Sequence, residues 1–271
     1  YGRQLSSHGF MLKLDSNSEL AVATTGVTYS HVFLSSSCTK TDPKCTWSFQ
    51  EGLLVSDFDA TMALRANGPN GPIEVTTACT PNNSECRWTY AKGMLVNEGS
   101  LNGSAHAASG GVNGSELRTH TGCDSSNPDC TFTIPNVMLS NVQNTALKWH
   151  TSQGGVSGSP VKLHQDCDVS NPDCTWTLRA GRVISDRDSS LAVHSSSGAA
   201  HLSELKIRSG CTVNNPDCTW TIKRGMITSD HDSTLGVHAR NGAFHGAQLE
   251  LHSACTRDNS DCTFLGQFAK N

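Results

Sequence analysis

The twelve cysteines of this 271-residue chain form six pairs of constant spacing, and this regularity limits the possible folds more than any other feature. Six residues separate the two cysteines of every pair, and successive first cysteines are 41, 44, 44, 44 and 44 positions apart. A constant period of this length indicates tandem structural repeats. The chain therefore contains six copies of one small unit. The pairs are Cys38/Cys45, Cys79/Cys86, Cys123/Cys130, Cys167/Cys174, Cys211/Cys218 and Cys255/Cys262.

The copy at residues 181–220 shows the pattern of the repeat best. Apolar and polar residues alternate in four short stretches, as they do in half-buried β-strands. Turn-forming residues separate the stretches, and Asn-Pro-Asp at 127–129, 171–173 and 215–217 suits a tight turn. Each repeat is therefore predicted to contain four strands, with its cysteine pair linking the third strand to the fourth, which begins at the second cysteine. The predicted strands of this copy are residues 181–184, 191–194, 204–208 and 218–221.

Composition is that of a folded globular protein and argues against two kinds of partner. Apolar residues make up 36% of the chain, charged residues 16%, and the formal net charge is −4. The 20 basic residues are scattered and outnumbered by 24 acidic ones, so no nucleic-acid-binding surface is expected. No apolar run approaches the roughly 20 residues of a membrane span, so membrane insertion is not expected.

The cysteine pairs indicate disulfides rather than a metal site. Zinc sites usually place their cysteines about two to four residues apart, so a gap of six fits one tetrahedral ion poorly. Disulfides persist in oxidising compartments, and the protein is therefore predicted to be secreted, which a removed signal peptide before Tyr1 would fit. Sequons for N-glycosylation occur at Asn82, Asn102 and Asn113. No metal or other cofactor is expected, because the Asp-x-Asp turns offer too few oxygen ligands for calcium.

Six four-stranded units fit two architectures, which are two tandem β-trefoils of three repeats each or one six-bladed β-propeller. The aromatic residue after the second cysteine follows the order Trp, Trp, Phe, Trp, Trp, Phe, a threefold pattern that occurs twice. This order favours trefoils at residues 1–134 and 135–271, whereas the uninterrupted 44-residue spacing is what a propeller predicts. The aromatic side chains are predicted to fill the core. They are Trp47, Trp88, Phe132, Trp176, Trp220 and Phe264.

Aspartate and histidine recur at equivalent positions and are the candidate ligand-binding residues. Aspartates occupy the turn after the first strand, and histidines follow the apolar end of the second strand at a spacing of 44. If Leu191 and Val193 face the core, strand alternation directs His194 outward, beside the aspartate turn. The alternative is that each histidine bonds an aspartate and only fixes the turn. The candidates are Asp57, Asp59, His106, Asn141, His150, Asp186, Asp188, His194, His201, Asp230, Asp232, His238 and His245.

The order of Leu-x-Val, a glycine-containing turn, Leu-x-Leu, cysteine, a polar loop and Trp flanked by Thr resembles the β-trefoil lectins related to the ricin B chain. The resemblance covers the whole chain, although Cys-Thr-Trp at 45–47, 174–176 and 218–220 replaces the usual Gln-x-Trp. It implies one shallow sugar pocket per repeat, formed by an acidic residue of an early turn and an aromatic platform near the third strand. The residues near the platform position here are His120, His164, Arg208 and His252.

These residues predict a multivalent carbohydrate-binding protein. The aspartates would accept hydroxyl protons, and the imidazoles would donate hydrogen bonds and pack on the sugar. No catalytic motif breaks the repeat, so no enzyme activity is expected, whereas repetition of a weak site raises avidity. Repeats 5 and 6 share their Asp and His positions most fully and are expected to bind first.

The expected partners are glycans or glycoproteins on cell surfaces, of galactose or GalNAc type, bound by a monomer or small homo-oligomer. The alternative function is a secreted protein-binding module, such as a protease inhibitor or the targeting half of a toxin. Such a module would use one loop rather than six pockets. Its best candidate is residues 97–113, which depart from the pattern of the repeat.

Overall fold

The structure is a computed structural model that describes residues 9–101 and 103–267. These residues form 24 β-strands and four short 3-10 helices, with no α-helix, so the predicted all-β class is confirmed. None of the helices in the described ranges is long and apolar enough to cross a membrane. The strands are β1 (Lys13–Leu14), β2 (Ala21–Ala23), β3 (Ser30–His31), β4 (Phe33–Ser35), β5 (Trp47–Gln50), β6 (Leu53–Ser56), β7 (Ala63–Ala66), β8 (Ile73–Thr76), β9 (Trp88–Ala91), β10 (Met94–Asn97), β11 (Ser104–Ala107), β12 (Leu117–His120), β13 (Phe132–Asn141), β14 (Lys148–Thr151), β15 (Val161–His164), β16 (Trp176–Arg179), β17 (Arg182–Ser185), β18 (Leu191–Ser195), β19 (Leu205–Ser209), β20 (Trp220–Lys223), β21 (Met226–Ser229), β22 (Gly236–Ala239), β23 (Leu249–His252) and β24 (Phe264–Gln267). The 3-10 helices are Ser84–Cys86, Ser152–Gly154, Pro216–Cys218 and Ser260–Cys262.

Every repeat follows the predicted order of four strands, with two variations. The third strand of repeat 1 is interrupted and forms β3 and β4, and β13 continues from the last strand of repeat 3 into the first strand of repeat 4. In the best-formed repeat, β17 to β20 match the four predicted stretches to within two residues. Strand positions were predictable because turn chemistry between the strands is local in sequence.

The chain divides into two compact units, of which the first comprises the described residues up to Pro135 together with Gln267, and the second is Asn136–Gly266. The fourth strand of each repeat pairs with the first strand of the next. This gives the pairs β5 with β6 and β9 with β10 in the first unit, and β16 with β17 and β20 with β21 in the second. The last fourth strand then returns to the first strand of its own unit, as β13 pairs with β1 and β24 pairs with β13.

This return after three repeats is the threefold strand arrangement of a β-trefoil. Two tandem trefoils are therefore confirmed. The six-bladed propeller is wrong, because it would keep the four strands of each repeat in a separate blade. That the two units are independent domains, divided between residues 134 and 135, stays a prediction.

The third strands of the second unit, β15, β19 and β23, contact one another in pairs around the threefold axis. In each repeat of this unit, the loop before the third strand donates one backbone hydrogen bond to the third strand of another repeat. The three donors are 44 residues apart, so the bonds are equivalent. Side chains that are distant in sequence are therefore brought together across repeats. The bonds are Gly158 N to Ile207 O (2.7 Å), Leu202 N to Leu251 O (2.7 Å) and Gly246 N to Leu163 O (2.8 Å).

The repeated aromatic residues fill the cores, as predicted, because all six are at most 2% exposed. The four tryptophans also bind the backbone. Each indole N–H donates to a carbonyl of the second strand, one residue before the position that carries histidine in later repeats. The indole therefore fixes the end of the second strand, where the candidate histidines lie. The bonds are Trp47 to Val22 (3.0 Å), Trp88 to Leu64 (3.0 Å), Trp176 to Trp149 (3.4 Å) and Trp220 to Val193 (3.1 Å).

All six predicted disulfides are present, and no cysteine is free. Each one closes a short loop between the third and fourth strands. In three repeats an asparagine caps the 3-10 helix of this loop, as Asn215 does by accepting from the backbone N–H of Asp217. Each ring of eight residues lowers the entropy of the unfolded chain, which stabilises the fold by about 2.5 kcal/mol on the chain-entropy model.

The second cysteine of each disulfide lies before the fourth strand, so the prediction that this strand begins at the cysteine is wrong. The strand begins two residues later, at the repeated aromatic residue, because the cysteine still belongs to the loop that the disulfide closes. All six of these cysteines are buried, at most 3% exposed, so they stabilise the repeat and are not surface groups that a ligand could contact. Cys45, Cys130 and Cys174 lie at a bend of the chain, whereas Cys86, Cys218 and Cys262 end a 3-10 helix.

Two of the three predicted glycosylation sequons lie on exposed residues. Asn82 and Asn113 are exposed, and the side-chain oxygen of Asn113 accepts a hydrogen bond from the backbone N–H of Ser36 (2.9 Å). The third sequon, at Asn102, lies outside the described residues.

Candidate ligand-binding site

The first aspartate of each early turn bonds to the preceding fourth strand. In each case one carboxylate oxygen accepts a hydrogen bond from a hydroxyl of that strand. Burial raises the pKa of Asp186, and the hydroxyl of Thr177 opposes this effect. These carboxylates hold one repeat to the next. The pairs are Asp57 with Ser48 (2.9 Å), Asp186 with Thr177 (2.6 Å) and Asp230 with Thr221 (2.7 Å).

The second aspartate of each early turn caps its own turn. Its carboxylate accepts the backbone N–H of the residue two positions later, at 2.9 Å in all three repeats. The hydroxyl of that later residue, followed by its N–H, lowers the aspartate pKa. The carboxylates are therefore already used inside the turn, and a role in ligand binding stays a prediction. The pairs are Asp59 with Thr61, Asp188 with Ser190 and Asp232 with Thr234.

Asn141 is a structural residue rather than a surface ligand, which corrects the sequence prediction. Its side chain is 0% exposed. The side-chain N–H₂ donates to the carbonyl of Ser260 (2.7 Å), and the side-chain oxygen accepts from the backbone N–H groups of Gln143 and Asn144. A bound sugar could not reach this amide without displacing the turn.

His194 of the second strand is covered rather than exposed to solvent, so the predicted surface position is wrong for this residue. All five residues of β18 are buried, and His194 is only 8% exposed. The 3-10 helix Pro216–Cys218 packs against β18 and covers the face that strand alternation turns away from the core. The equivalent residues His106, His150 and His238 are half-buried.

The histidine also lies away from the aspartate turn. Asp188 precedes β18 and His194 is the fourth residue of that strand, so about 10 Å of strand separates them at 3.3 Å per residue. The charged groups that act on the pKa of His194 are Arg208, Asp217 and Lys206. Within one repeat, the histidine and the aspartate turn therefore lie at opposite ends of the second strand.

Instead, each of these histidines has a histidine or arginine of the third strand diagonally across from it. The two strands are antiparallel, and diagonal side chains on one face lie within reach of each other. Ring centroids are 5.1 Å apart in repeat 3 and 4.7 Å apart in repeats 4 and 6, whereas the arginine Nη1 of repeat 5 donates to the histidine Nε2 at 3.4 Å. The pairs are His106 with His120, His150 with His164, His194 with Arg208, and His238 with His252.

An aspartate directly before the second cysteine completes each cluster, and sequence reasoning missed it. Its negative charge raises the pKa of the strand histidine in all four repeats. In repeat 3, the backbone N–H of Ala107 donates to the carbonyl of Asp129 (3.0 Å), which holds the loop beside His106. The Asn-Pro-Asp triplets were assigned to turns alone, although the 44-residue spacing of the aspartate was visible. The aspartates are Asp129, Asp173, Asp217 and Asp261.

Burial nevertheless dominates the titration of these histidines. It lowers the pKa of each one, and the neighbouring basic residue lowers it further. The imidazoles are therefore neutral at pH 7, and each offers one hydrogen-bond donor and one acceptor. The histidines of this group are His106, His150, His194 and His238.

In repeat 3 the cluster opens into a cavity of about 600 Å³. His106, Glu116, Arg118 and His120 line it, and His120 Nδ1 lies 3.2 Å from the side-chain oxygen of Asn70. A second cavity of about 470 Å³ shares Glu116 with the first. Repeat 3 therefore presents several hydrogen-bonding groups to one open space.

The corresponding position of repeat 2 holds an ion pair. Arg65 stands where later repeats have histidine, and its guanidinium lies 2.9 Å from Glu85, which precedes the second cysteine as Asp129 does in repeat 3. The same arginine lies 3.7 Å from the buried Glu74. Two charged side chains thus occupy the place where repeat 3 has its imidazole pair.

His201 and His245 join the clusters of other repeats than their own. The His201 ring lies 4.4 Å from that of His252 in repeat 6, and the His245 ring lies 4.2 Å from that of His164 in repeat 4. His201 and His245 therefore lie beside third-strand histidines of other repeats, and a role of either residue in ligand binding stays a prediction. The threefold axis of the second unit brings these loops together, and the sequence alone does not show which repeats meet there.

No protein-family model matches the chain, and no curated protein matches it. Solved structures do match it. The agglutinin from Abrus precatorius is 12% identical, with 97% of this chain and 98% of that chain covered and a TM-score of 0.42. A non-toxic homologue of type II RIPs from Momordica charantia (bitter gourd), in complex with α-methyl-D-galactoside, is 16% identical, with 98% and 100% covered and a TM-score of 0.42.

The C-half of the earthworm R-type lectin, in complex with GalNAc, matches over 49% of this chain and 98% of its own, at 14% identity and a TM-score of 0.42. The β-trefoil fold that the resemblance to ricin B-type lectins implies is confirmed by the strand pairing within each unit.

Proposed function

We propose that this protein is a secreted lectin that binds carbohydrate at the histidine clusters of repeats 3–6, without catalytic activity. Six disulfides suit an oxidising compartment outside the cytosol. The observation that carries the proposal is the open cavity of repeat 3, with a volume of about 600 Å³, which suits a small polar ligand.

The lining of this cavity matches the chemistry of a sugar. Glu116 accepts hydroxyl protons, Arg118 donates, and the Asn70 amide can do both. The rings of His106 and His120 offer flat surfaces for the C–H face of a pyranose and ring nitrogens for its hydroxyls. Since the imidazole of His106 is neutral at pH 7, it can form hydrogen bonds with an uncharged sugar.

Three related clusters support multivalent binding. His150, His194 and His238 have the same neighbours by position, which are a basic residue of the third strand and an aspartate before the second cysteine. Several weak sites on one chain raise avidity for a surface with many glycans. We therefore expect glycans or glycoproteins of cell surfaces as the partners.

The first experiment measures binding of α-methyl-D-galactoside and of GalNAc to the full chain by calorimetry. These sugars are chosen because the bitter gourd and earthworm structures contain them. The double variant His106→Ala/His120→Ala should lose the repeat 3 site. Loss of a hydrogen bond between neutral groups costs about 0.5–1.5 kcal/mol, so loss of both imidazoles should lower affinity at that site by about tenfold.

The matched controls are Asp188→Asn and Asp232→Asn, which change the residues that the sequence proposed as ligands. Their carboxylates cap turns, so both variants should bind sugar like the parent. Loss of binding in these variants, with normal binding in the histidine variant, would move the site to the early turns. Glycoprotein binding that no free sugar inhibits would favour the protein-binding alternative.

A further inference from the structure

We propose that His164, Asp166 and His245 bind a divalent transition-metal ion of the zinc class. One ligand atom from each residue lies within 4.8 Å of the other two, and two of the residues are exposed. This inference goes beyond carbohydrate binding. It concerns the second unit alone and needs no sugar.

The main chain holds the two histidines together whether or not an ion is present. His164 is the last residue of β15, and its neighbour Leu163 accepts the backbone N–H of Gly246 (2.8 Å). Leu163 in turn donates its N–H to the carbonyl of Ala247 (2.9 Å). These bonds fix His245 beside His164, so an ion would order few additional groups.

Ring nitrogens without protons face the same short segment. The backbone N–H of Asp166 donates to His164 Nδ1 (3.2 Å), and the backbone N–H of Gln165 donates to His245 Nδ1 (3.4 Å). A ring nitrogen that accepts a hydrogen bond carries no proton, which is the form that binds a metal once that hydrogen bond is released. Both bonds are long, so an ion can replace them at small cost.

Two imidazoles and one carboxylate are ligands for zinc and its neighbours in the first transition series rather than for calcium. A tetrahedral ion with bonds of about 2.0 Å needs ligand atoms about 3.3 Å apart. Asp166 and His245 are exposed, so their side chains can rotate through the remaining distance. The fourth position would hold water.

The threefold symmetry of the unit provides an internal control. His252 and His201 repeat the arrangement, with the backbone N–H of Ala254 donating to His252 Nδ1 (3.0 Å) and that of Ser253 donating to His201 Nδ1 (3.3 Å). Ala254 occupies the position of Asp166, so this second cluster lacks the carboxylate. The two clusters therefore differ in the third ligand and share the backbone.

The test measures binding of Co²⁺ alone to the chelator-stripped full chain, by its visible absorption and by equilibrium dialysis. The parent should bind one ion tightly. Because removal of even a supporting residue of a metal site costs about 10–100-fold in affinity, His245→Ala and Asp166→Ala should each weaken binding at least about tenfold. Ala254→Asp should add a second tight site.

Three results would overturn the proposal. The first is that the parent binds no Co²⁺ at up to about millimolar concentration, where exposed histidine sites would already fill. The second is that Asp166→Ala binds Co²⁺ as tightly as the parent. The third is that Ala254→Asp still binds only one ion. Sugar binding is measured separately on the same proteins. The metal site shares His164 with the histidine cluster of repeat 4, whereas the repeat 3 cavity contains none of its residues, so sugar binding at repeat 3 can fail or succeed independently of the metal.

Discussion

Repeats 2 and 3 of the first unit share their strand order but carry different side chains at one position of the second strand. Arg65 of repeat 2 makes an ion pair with Glu85, whereas His106 of repeat 3 stands beside His120 at the edge of an open cavity. Strand pairing and the position of the disulfide are the same in both. The fold therefore presents the site, and a few side chains decide whether it is open.

The largest loss of stability should come from truncating the buried aromatic residue after the second cysteine, which is Trp88 in repeat 2 and Phe132 in repeat 3. Trp88→Ala removes a side chain that is 1% exposed, together with its hydrogen bond to the carbonyl of Leu64. Truncation of such a residue typically costs about 3–5 kcal/mol. Urea unfolding of the disulfide-intact protein should show this loss of stability. A loss below about 1 kcal/mol, the size of a surface substitution, would show that the indole does not support the second strand.

A smaller effect should separate the two repeats at the position that differs. Arg65→Ala leaves the carboxylate of Glu74, which is 7% exposed, without the guanidinium 3.7 Å away. An uncompensated buried group costs about 1–3 kcal/mol, so this variant should unfold at lower urea concentration. His106→Ala in repeat 3 removes a half-buried neutral ring and should lower the free energy of unfolding by less than Arg65→Ala does. Equal losses in the two variants would contradict the contrast between the repeats.

The pH dependence of stability should also differ between the two repeats. Burial lowers the pKa of His106, followed by the effect of His120, whereas Asp129 raises it, and repeat 2 has no histidine at this position. The folded state therefore binds fewer protons than the unfolded state. The stability from this group is present above about pH 6.5 and is lost as the pH falls through the lowered pKa.

The measurement compares the free energy of unfolding at pH 7.5 and at pH 5, which lie on either side of the usual histidine pKa of about 6.5, for the parent and for His106→Gln. The parent should lose more stability on acidification than the variant. The other buried histidines are present in both proteins, so their contributions cancel. An equal loss in the two proteins would show that His106 titrates as an exposed histidine does.

The smallest effect is expected from the early turn of repeat 2. Asp59 caps its turn through the N–H and hydroxyl of Thr61, so Asp59→Asn should cost less than about 1 kcal/mol and leave sugar binding unchanged. Calorimetry with a galactoside and thermal unfolding check both parts. A fall in sugar affinity of more than about tenfold would restore Asp59 as a ligand-binding residue.

The strands and disulfides could be predicted from the sequence, whereas the surroundings of the histidines could not. The strands and disulfides were predictable because turn residues and cysteine spacing act over a few positions, as the agreement of β17 to β20 with prediction shows. The environment of His194 was not predictable, because the disulfide loop of the same repeat folds back over the outer face of β18. The contact of His201 with His252 depends on the threefold axis, which periodicity along the chain does not show.

The central claim is that the imidazole pair of repeat 3 contacts sugar. The most direct test follows the Cε1–Hε1 resonances of the histidines by NMR as α-methyl-D-galactoside or GalNAc is added, with His106→Gln and His120→Gln spectra as assignments. The account predicts that the resonances of His106 and His120 shift in a saturable manner, and that Arg65→Ala leaves these shifts unchanged. Sugar binding that moves neither resonance would contradict it.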